Sequence, residues 1–450
     1  MLMERGQTRH NYAHSSVRMS PVRTSCLKSI FLTGVCSLLL TSLPSSAQTD
    51  AAAAQDHFRV GTEAYRDGDY EGFTASFESA VALNPFSLYA RYKLACGYAR
   101  TGRDAEALKI LQELVAARVD FGMAAEADLE SLRSNPEFIR LVDTLEQSMQ
   151  PVLVSQHRFK LDELGLIPEG IAYDAHLGRI FLGSMRSGEI FVIDDAGQVS
   201  KFATVSNEGK LAAIGMSVDR NRNILWVVGS SFFLAKQFDA EAPARAGIFG
   251  FDLDNGDLTR KYMAEDAMTT FNDVVVGATG DLYISGSELS VVRNGRDEIE
   301  AIRTGMPVFG SNGIAVRPDG ERIFVSSYPV GIAAIHPETG ESYWLEAPEE
   351  VSLYGIDGLY WYEGDLVAVQ NGVQPWRLVR LQLNDEETAV THARLIEFAN
   401  DDMTPTTGAI VGGLIHFVGQ GPQPDLLPAH FPDAMAEFSG ETIVMTAPLN

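Results

Sequence analysis

Six times in the C-terminal two-thirds of the chain, a polar or glycine residue opens an apolar strand, a tight turn follows, and a second apolar strand comes after it. The openings are Glu169-Gly170-Ile171-Ala172, Gly215-Met216-Ser217-Val218, Asn272-Asp273-Val274-Val275, Asn312-Gly313-Ile314-Ala315, Asp357-Gly358-Leu359-Tyr360 and Gly408-Ala409-Ile410-Val411. Their partners include Arg179-Ile180-Phe181-Leu182, Ile224-Leu225-Trp226-Val227 and Leu414-Ile415-His416-Phe417. Paired strands rich in Val, Ile and aromatics, repeating every ~40 to 60 residues, predict an all-β six-bladed β-propeller. His157 to Leu161 alternates in the strand manner ahead of the first repeat. It is expected to pair with Glu441 to Met445 and close the last blade, which removes exposed strand edges.

Ahead of the propeller the apolar period becomes helical. Gly68 and Gly102, Phe77 and Leu111, and Ala80 and Leu114 share one spacing, ~34 residues, which is the period of tetratricopeptide-like helical repeats. Phe73 stands where that repeat expects a small residue, and Asn135-Pro136 is a good start for a further helix. The domains read as 1–47 leader, 48–145 all-α helical repeats, 146–156 linker and 157–450 propeller. The helical part reads equally as a concave surface for a protein partner or as a packing module.

Composition adds a compartment. Arg18, Arg23 and Lys28 precede an apolar run from Ile30 to Leu40, and Pro44-Ser45-Ser46-Ala47 offers the small residues a signal peptidase reads. The run is too short for a permanent membrane anchor, so a periplasmic or secreted protein cleaved after Ala47 is expected. With 35 basic against 60 acidic residues, the formal net charge of −25 repels nucleic acid and favours cations and solubility. Cleavage would leave only Cys96 of three cysteines, and hence no intrachain disulfide.

The candidate chemistry lies where the inner strands begin. Glu169, Asn272, Asn312 and Asp357 could face the propeller axis, with Gly215 and Gly408 at the same place in blades two and six. Two carboxylates and two amides suit a hard divalent cation, calcium above all, rather than zinc or copper. The alternative is that Asn312-Gly313 and Asp357-Gly358 are hairpin turns, although separate turns at Pro318-Asp319-Gly320 and Glu363-Gly364 already close those hairpins.

The strings Pro168-Glu169-Gly170-Ile171, Phe271-Asn272-Asp273-Val274, Ser311-Asn312-Gly313-Ile314 and Ile356-Asp357-Gly358-Leu359 resemble the gluconolactonase and regucalcin (senescence marker protein) family, and more distantly the paraoxonases. The resemblance covers residues 159 to 449. It implies an axial calcium held by Glu169, Asn272, Asn312 and Asp357, and a small-molecule lactone or ester as substrate. The chain departs from both types: Ser327 replaces the gluconolactonase aspartate, and Ile214 and Ser230 replace the paraoxonase histidine dyad.

Asp273, Asp357 and Ser327 are then the candidates for proton handling and positioning, with Asp273 also readable as a strand-end residue and His416 as a core residue. Long loops at Ser230 to Ala246, Asn371 to Trp376 and Gly419 to Asp433 carry aromatics and read as lids over the axis or as ordinary caps. Two functions compete: a calcium-dependent lactone or ester hydrolase, and a non-catalytic scaffold of the cell envelope that recruits a partner through its helices.

Overall fold

The structure, a computed structural model, describes residues 46–450 apart from 162–165, 206–209, 240, 267–268, 401–402 and 421–440. The leader up to residue 45 lies outside the described residues, as do Leu426, Leu427 and Phe431 of the third expected lid. Among the described residues no helix is long and apolar enough to cross a membrane.

Six four-stranded antiparallel sheets form the propeller. In chain order the inner strands are Pro168–Asp174, Ala212–Asp219, Phe271–Val276, Ser311–Val316, Ile356–Tyr362 and Gly408–Val411. The strand Gln156–Leu161 pairs with Thr442–Pro448 and becomes the outermost strand of blade six, as the alternation at His157 to Leu161 predicts. Asn312-Gly313 and Asp357-Gly358 lie within inner strands rather than in turns. The turns fall at Gly320 and at Glu363-Gly364, where left-handed φ angles of 78°, 50° and 90° reverse the chain.

One irregularity recurs in five blades. The register slips between Pro168 and Ile171, Ala213 and Met216, Phe271 and Val274, Ser311 and Ile314, and Ile356 and Leu359. Each slip places one extra residue on the inner strand, a β-bulge that bends the strand and re-aims a side chain. Blade six pairs from Gly408 onward without a slip. The bulges correct one expectation: the blade-two equivalent of Glu169, Asn272, Asn312 and Asp357 is Ile214, with Gly215 in the second bulge position.

The second bulge position is where neighbouring blades meet. A Cβ on Gly170 would overlap the carbonyl oxygen of Ile214, one on Gly215 would overlap Asp273, and one on Gly313 would overlap the carbonyl oxygen of Asp357. Blade three has Asp273 there, and its carboxylate accepts from the backbone N–H of Val274 and from that of Ile314 in blade four. Blades five and six are joined by the Gly408 N–H donating to Tyr360 Oη, and blades six and one by Thr407 Oγ1 donating to the Glu169 carbonyl.

The helices are α1 (Ser46–Arg66), α2 (Tyr70–Leu83), α3 (Leu88–Arg100), α4 (Asp104–Ala116) and α5 (Pro136–Ser148). Asp69, Ser87 and Asn135 cap α2, α3 and α5 through their side chains. Gly68 and Gly102 occupy the same place between helices, α1 to α2 and α3 to α4, each with φ near +76°. Phe73, Phe77, Leu111, Leu114, Leu129 and Leu132 form the helical core, which also takes in Tyr354 and Val373 from the propeller.

The helical part is therefore docked on blades four and five. Arg377 donates to the carbonyls of Ala117 (3.2 Å) and Arg118 (2.6 Å) at the C-terminal end of α4, where unpaired carbonyls favour a cation. Asp120 N donates to Gln374 O at 2.8 Å, and Asn84 Nδ2 donates to Pro329 O at 3.1 Å. The linker is held by Glu397, whose Oε2 accepts from Val154 N and Ser155 N at 2.9 Å each. This corrects the reading of Asn371 to Trp376 as a lid: Val373 is fully buried in the helical core, so the loop is a docking element.

Gly170→Ala should lower stability by about 3 kcal/mol through the overlap with the Ile214 carbonyl. Gly320→Ala, with open space around its Cβ, should cost only about 1 kcal/mol of backbone strain. Urea melts of the two variants measure the difference. Equal losses would show that close blade contact does not constrain Gly170.

Candidate metal centre

The bulges bring the four expected ligands to corresponding positions at the start of their strands. Two of them, Asn312 and Asp357, are hydrogen-bonded, and a third, Glu169, is repelled by Asp357. Asp357, buried, has a carboxylate that accepts from the amides of Asn312 and Asn371, the latter at 2.6 Å. Glu169, partly buried, feels the carboxylates of Asp357 and Asp273. Asn272 occupies the matching bulge position in blade three, with its carbonyl against Gly215.

The electrostatics of this cluster are one-sided. Burial, followed by repulsion from Asp357 and Asp273, pushes Glu169 well above the ordinary carboxylate range. Burial raises Asp357 to about 7 against the opposing hydrogen bonds of Asn371 and Asn312. Burial likewise raises Asp273 to about 7, against two backbone N–H donors and with added repulsion from Asp357. None of the groups that shift these three acids is a cation. Like charges held together in a low dielectric need a proton or a metal ion to balance them, and this oxygen-only donor set fits calcium.

A different carboxylate group shows the contrast. Cys96, Glu126 and Asp128 offer ligand atoms within 4.8 Å of one another in the helical part. There, Lys93 Nζ lies 3.9 Å from Glu126 and Arg100 Nε 3.7 Å from Asp128, while Tyr65 Oη donates to Asp128 at 3.1 Å. Those charges are already matched by the chain itself.

The residues expected to handle protons fare differently. Ser327, expected beside the ion, is fully buried and donates to the Phe309 carbonyl at 2.6 Å. A hydroxyl committed in this way is not a base. Asp273 ties blade three to blade four and lines an axial cavity of about 200 Å³ that also touches Gly170, Gly215, Tyr360 and Tyr173. His416 is a core residue: it stacks on Tyr173 at 4.7 Å, contacts Thr446 Oγ1 at 2.8 Å, and is lowered to about 4 by burial and by Arg158.

Two residues were not found from sequence. Asn371 bridges Asp357 Oδ2, the Pro405 carbonyl (3.0 Å) and the Tyr328 hydroxyl (3.1 Å). Tyr360 lines the cavity, and burial, followed by the Asp273 carboxylate, raises its hydroxyl well above its ordinary value. Asn371 follows a strand end and Tyr360 sits in a run of aromatics, so neither carries a local signal.

No protein-family model matches the chain, and no curated protein sequence matches it. Similar solved structures include a gluconolactonase from Xanthomonas campestris, 14% identical over 65% of this chain and 88% of that one, with a TM-score of 0.43. A calcium-binding protein, regucalcin, from Agrobacterium tumefaciens is 14% identical over 64% and 94%, with a TM-score of 0.43. A virginiamycin B lyase from Staphylococcus aureus is 13% identical over 62% and 80%, with a TM-score of 0.41. At these values the six sheets themselves establish the fold, and the chemistry rests on the site residues.

The raised acids set a pH dependence. They are protonated in both states below about pH 4, whereas between about pH 4 and 7 the unfolded chain loses protons that the folded chain keeps. Without metal, the native state should lose several kcal/mol, about 4 kcal/mol for each acid raised to about 7, as pH rises through that window. Glu169→Gln should flatten the loss, as read by melting temperature from pH 4 to 8 in chelator. A wild-type profile that rises through the same window would overturn this assignment.

Proposed function

We propose that the protein is an exported, calcium-binding propeller that hydrolyses a small lactone or ester at the mouth of its axis. The observation that carries this reading is the mutual repulsion of Glu169, Asp273 and Asp357, with Asn312 bonded to Asp357 and no cation among the groups that shift these acids. Calcium held there by these residues and Asn272 would polarise a carbonyl and lower the pKa of a ligated water. Asn312 and Asn371 fix the Asp357 carboxylate, whereas Glu169 is raised well above the ordinary carboxylate range by burial and by repulsion from Asp357 and Asp273, with no hydrogen bond opposing the shift. A carboxyl raised in this way is suited to take up and return a proton.

The resemblance of the four strand-opening strings to gluconolactonases and regucalcin supports the same substrate class. A second reading, a calcium-stapled scaffold whose helical repeats hold another envelope protein, is favoured by one observation. Ser327 and Ile214, at the two positions where the resembled families place their proton-transfer groups, cannot act as bases.

Calcium at about a hundred times its dissociation constant should raise stability by about 2.7 kcal/mol, a shift of several degrees in melting temperature. Asn272→Ala should remove most of that shift without unfolding the ring. In a panel of lactones and esters, Glu169→Gln should lower kcat/KM at least tenfold and remove the limb of the pH profile that its carboxyl sets. A calcium shift with no turnover on any substrate would leave the scaffold reading standing. No calcium shift at all would remove both.

A further inference from the structure

We propose that Asn371 is the positioning residue of the axial centre, and that the seat of the helical domain on blades four and five holds Asn371 in place. The side chain of Asn371 is fully occupied: its amide donates to Asp357 Oδ2 at 2.6 Å and to Pro405 O at 3.0 Å, and its oxygen accepts from Tyr328 Oη at 3.1 Å. It therefore has one orientation, and that orientation fixes a carboxylate oxygen of Asp357. Hydrogen-bonded neighbours of a ligand set its direction and strength as much as the ligand's own backbone does.

Both sides of Asn371 are fastened to the helices. On one side, the loop that follows it is pinned by Val373 in the helical core, by Asp120 N on Gln374 O at 2.8 Å, and by Arg377 on the end of α4. On the other, Tyr328 is followed by Pro329, whose carbonyl accepts from Asn84 Nδ2 at 3.1 Å. The two loops are joined through Gly355, whose N–H donates to Tyr328 O at 2.8 Å and whose carbonyl accepts from Gly372 N at 2.9 Å. Gly355 lies two residues before Asp357, so the path from the helices to the carboxylate is short and hydrogen-bonded throughout. Glu169 and Asn272 stand on blades one and three, outside this network. Loosening the helices should therefore disturb Asp357 selectively.

The calcium arm of the test rests on the proposed ion site, whereas the exchange arm does not. Hydrogen exchange of the full chain in chelator, read by mass spectrometry, should show faster uptake in Arg377→Met over residues 114–121, 371–377 and also 354–359. Uptake over 168–172 and 271–275 should be unchanged. Where Arg377→Met does not fold, Asn84→Ala serves, with the same expectation for 354–359. Uptake confined to the helices and to 371–377 would overturn the coupling.

In calcium titrations followed by melting temperature, Asn371→Leu, similar in volume but without a donor, should weaken the apparent affinity at least about tenfold. Its metal-free exchange over 371–377 should stay near wild type. Asn371→Gln should recover part of the loss. Leucine binding calcium as the wild type does would show that Asn371 only fills space, and would overturn its positioning role. A wild type without a calcium response would defeat the ion site alone, leaving the exchange result to decide the coupling.

Discussion

Six strands meeting around one axis cannot all carry side chains where they touch, and the rest of the propeller is arranged around that constraint. Five inner strands answer it with a bulge whose second residue is kept small or bonded to the next blade. Gly170, Gly215 and Gly313 let backbone approach backbone. The same geometry that lets the ring close sets Glu169, Asn272, Asn312 and Asp357 at equivalent bulge positions of their blades. The electrostatic cost of setting Asp357 near other acids is met partly by the amide donors of Asn312 and Asn371 and otherwise left unbalanced, and the proposed cation site rests on that imbalance.

Asp273 shows how one position can be drawn into either task. It adjoins Asn272 and is buried among acids, which in a sequence reads as a reactive carboxylate. In the structure its oxygens take the N–H groups of Val274 and Ile314, and its own N–H donates to Ser285 Oγ at 3.0 Å. Two of these bonds stay within blade three and the one from Ile314 crosses the seam to blade four, at a position where other blades use glycine. Replacing a glycine contact by a carboxylate trades close packing for directional bonds, and it places a titratable group on the axial cavity.

Much of the ring was legible because its signals are local. The turns at Gly320 and Gly364, the alternation of His157 to Leu161 and the cap at Asn135-Pro136 each depend on a few adjacent residues. The four ligand candidates were legible because each opens a strand. Ile214 was missed as the blade-two equivalent because a bulge adds one residue and so shifts the apparent start of the strand; Gly215 looked like the opening. The docking loop was misread for a different reason. A loop of six residues with an aromatic is the same string whether it covers a pocket or sits under a helix, and the partners of Val373 and Arg377 lie some 250 positions away. Asn371 has no local mark at all, since its importance comes wholly from what the fold sets beside it.

The closure of blade six has a consequence for how the chain is made. Gln156–Leu161 leaves the ribosome before any blade does, yet its partner Thr442–Pro448 emerges only after the five other blades. Throughout synthesis the first strand of the propeller must wait unpaired while five complete blades form behind it. Arg158 and Lys160, alternate residues of that strand, are charges of the kind that discourage a lone edge from pairing with the wrong chain. The helices ahead of it can fold early, but their seat on blades four and five does not exist until those blades are built. The nascent protein therefore carries an exposed helical face until blades four and five are built, and an open strand until blade six supplies its partner.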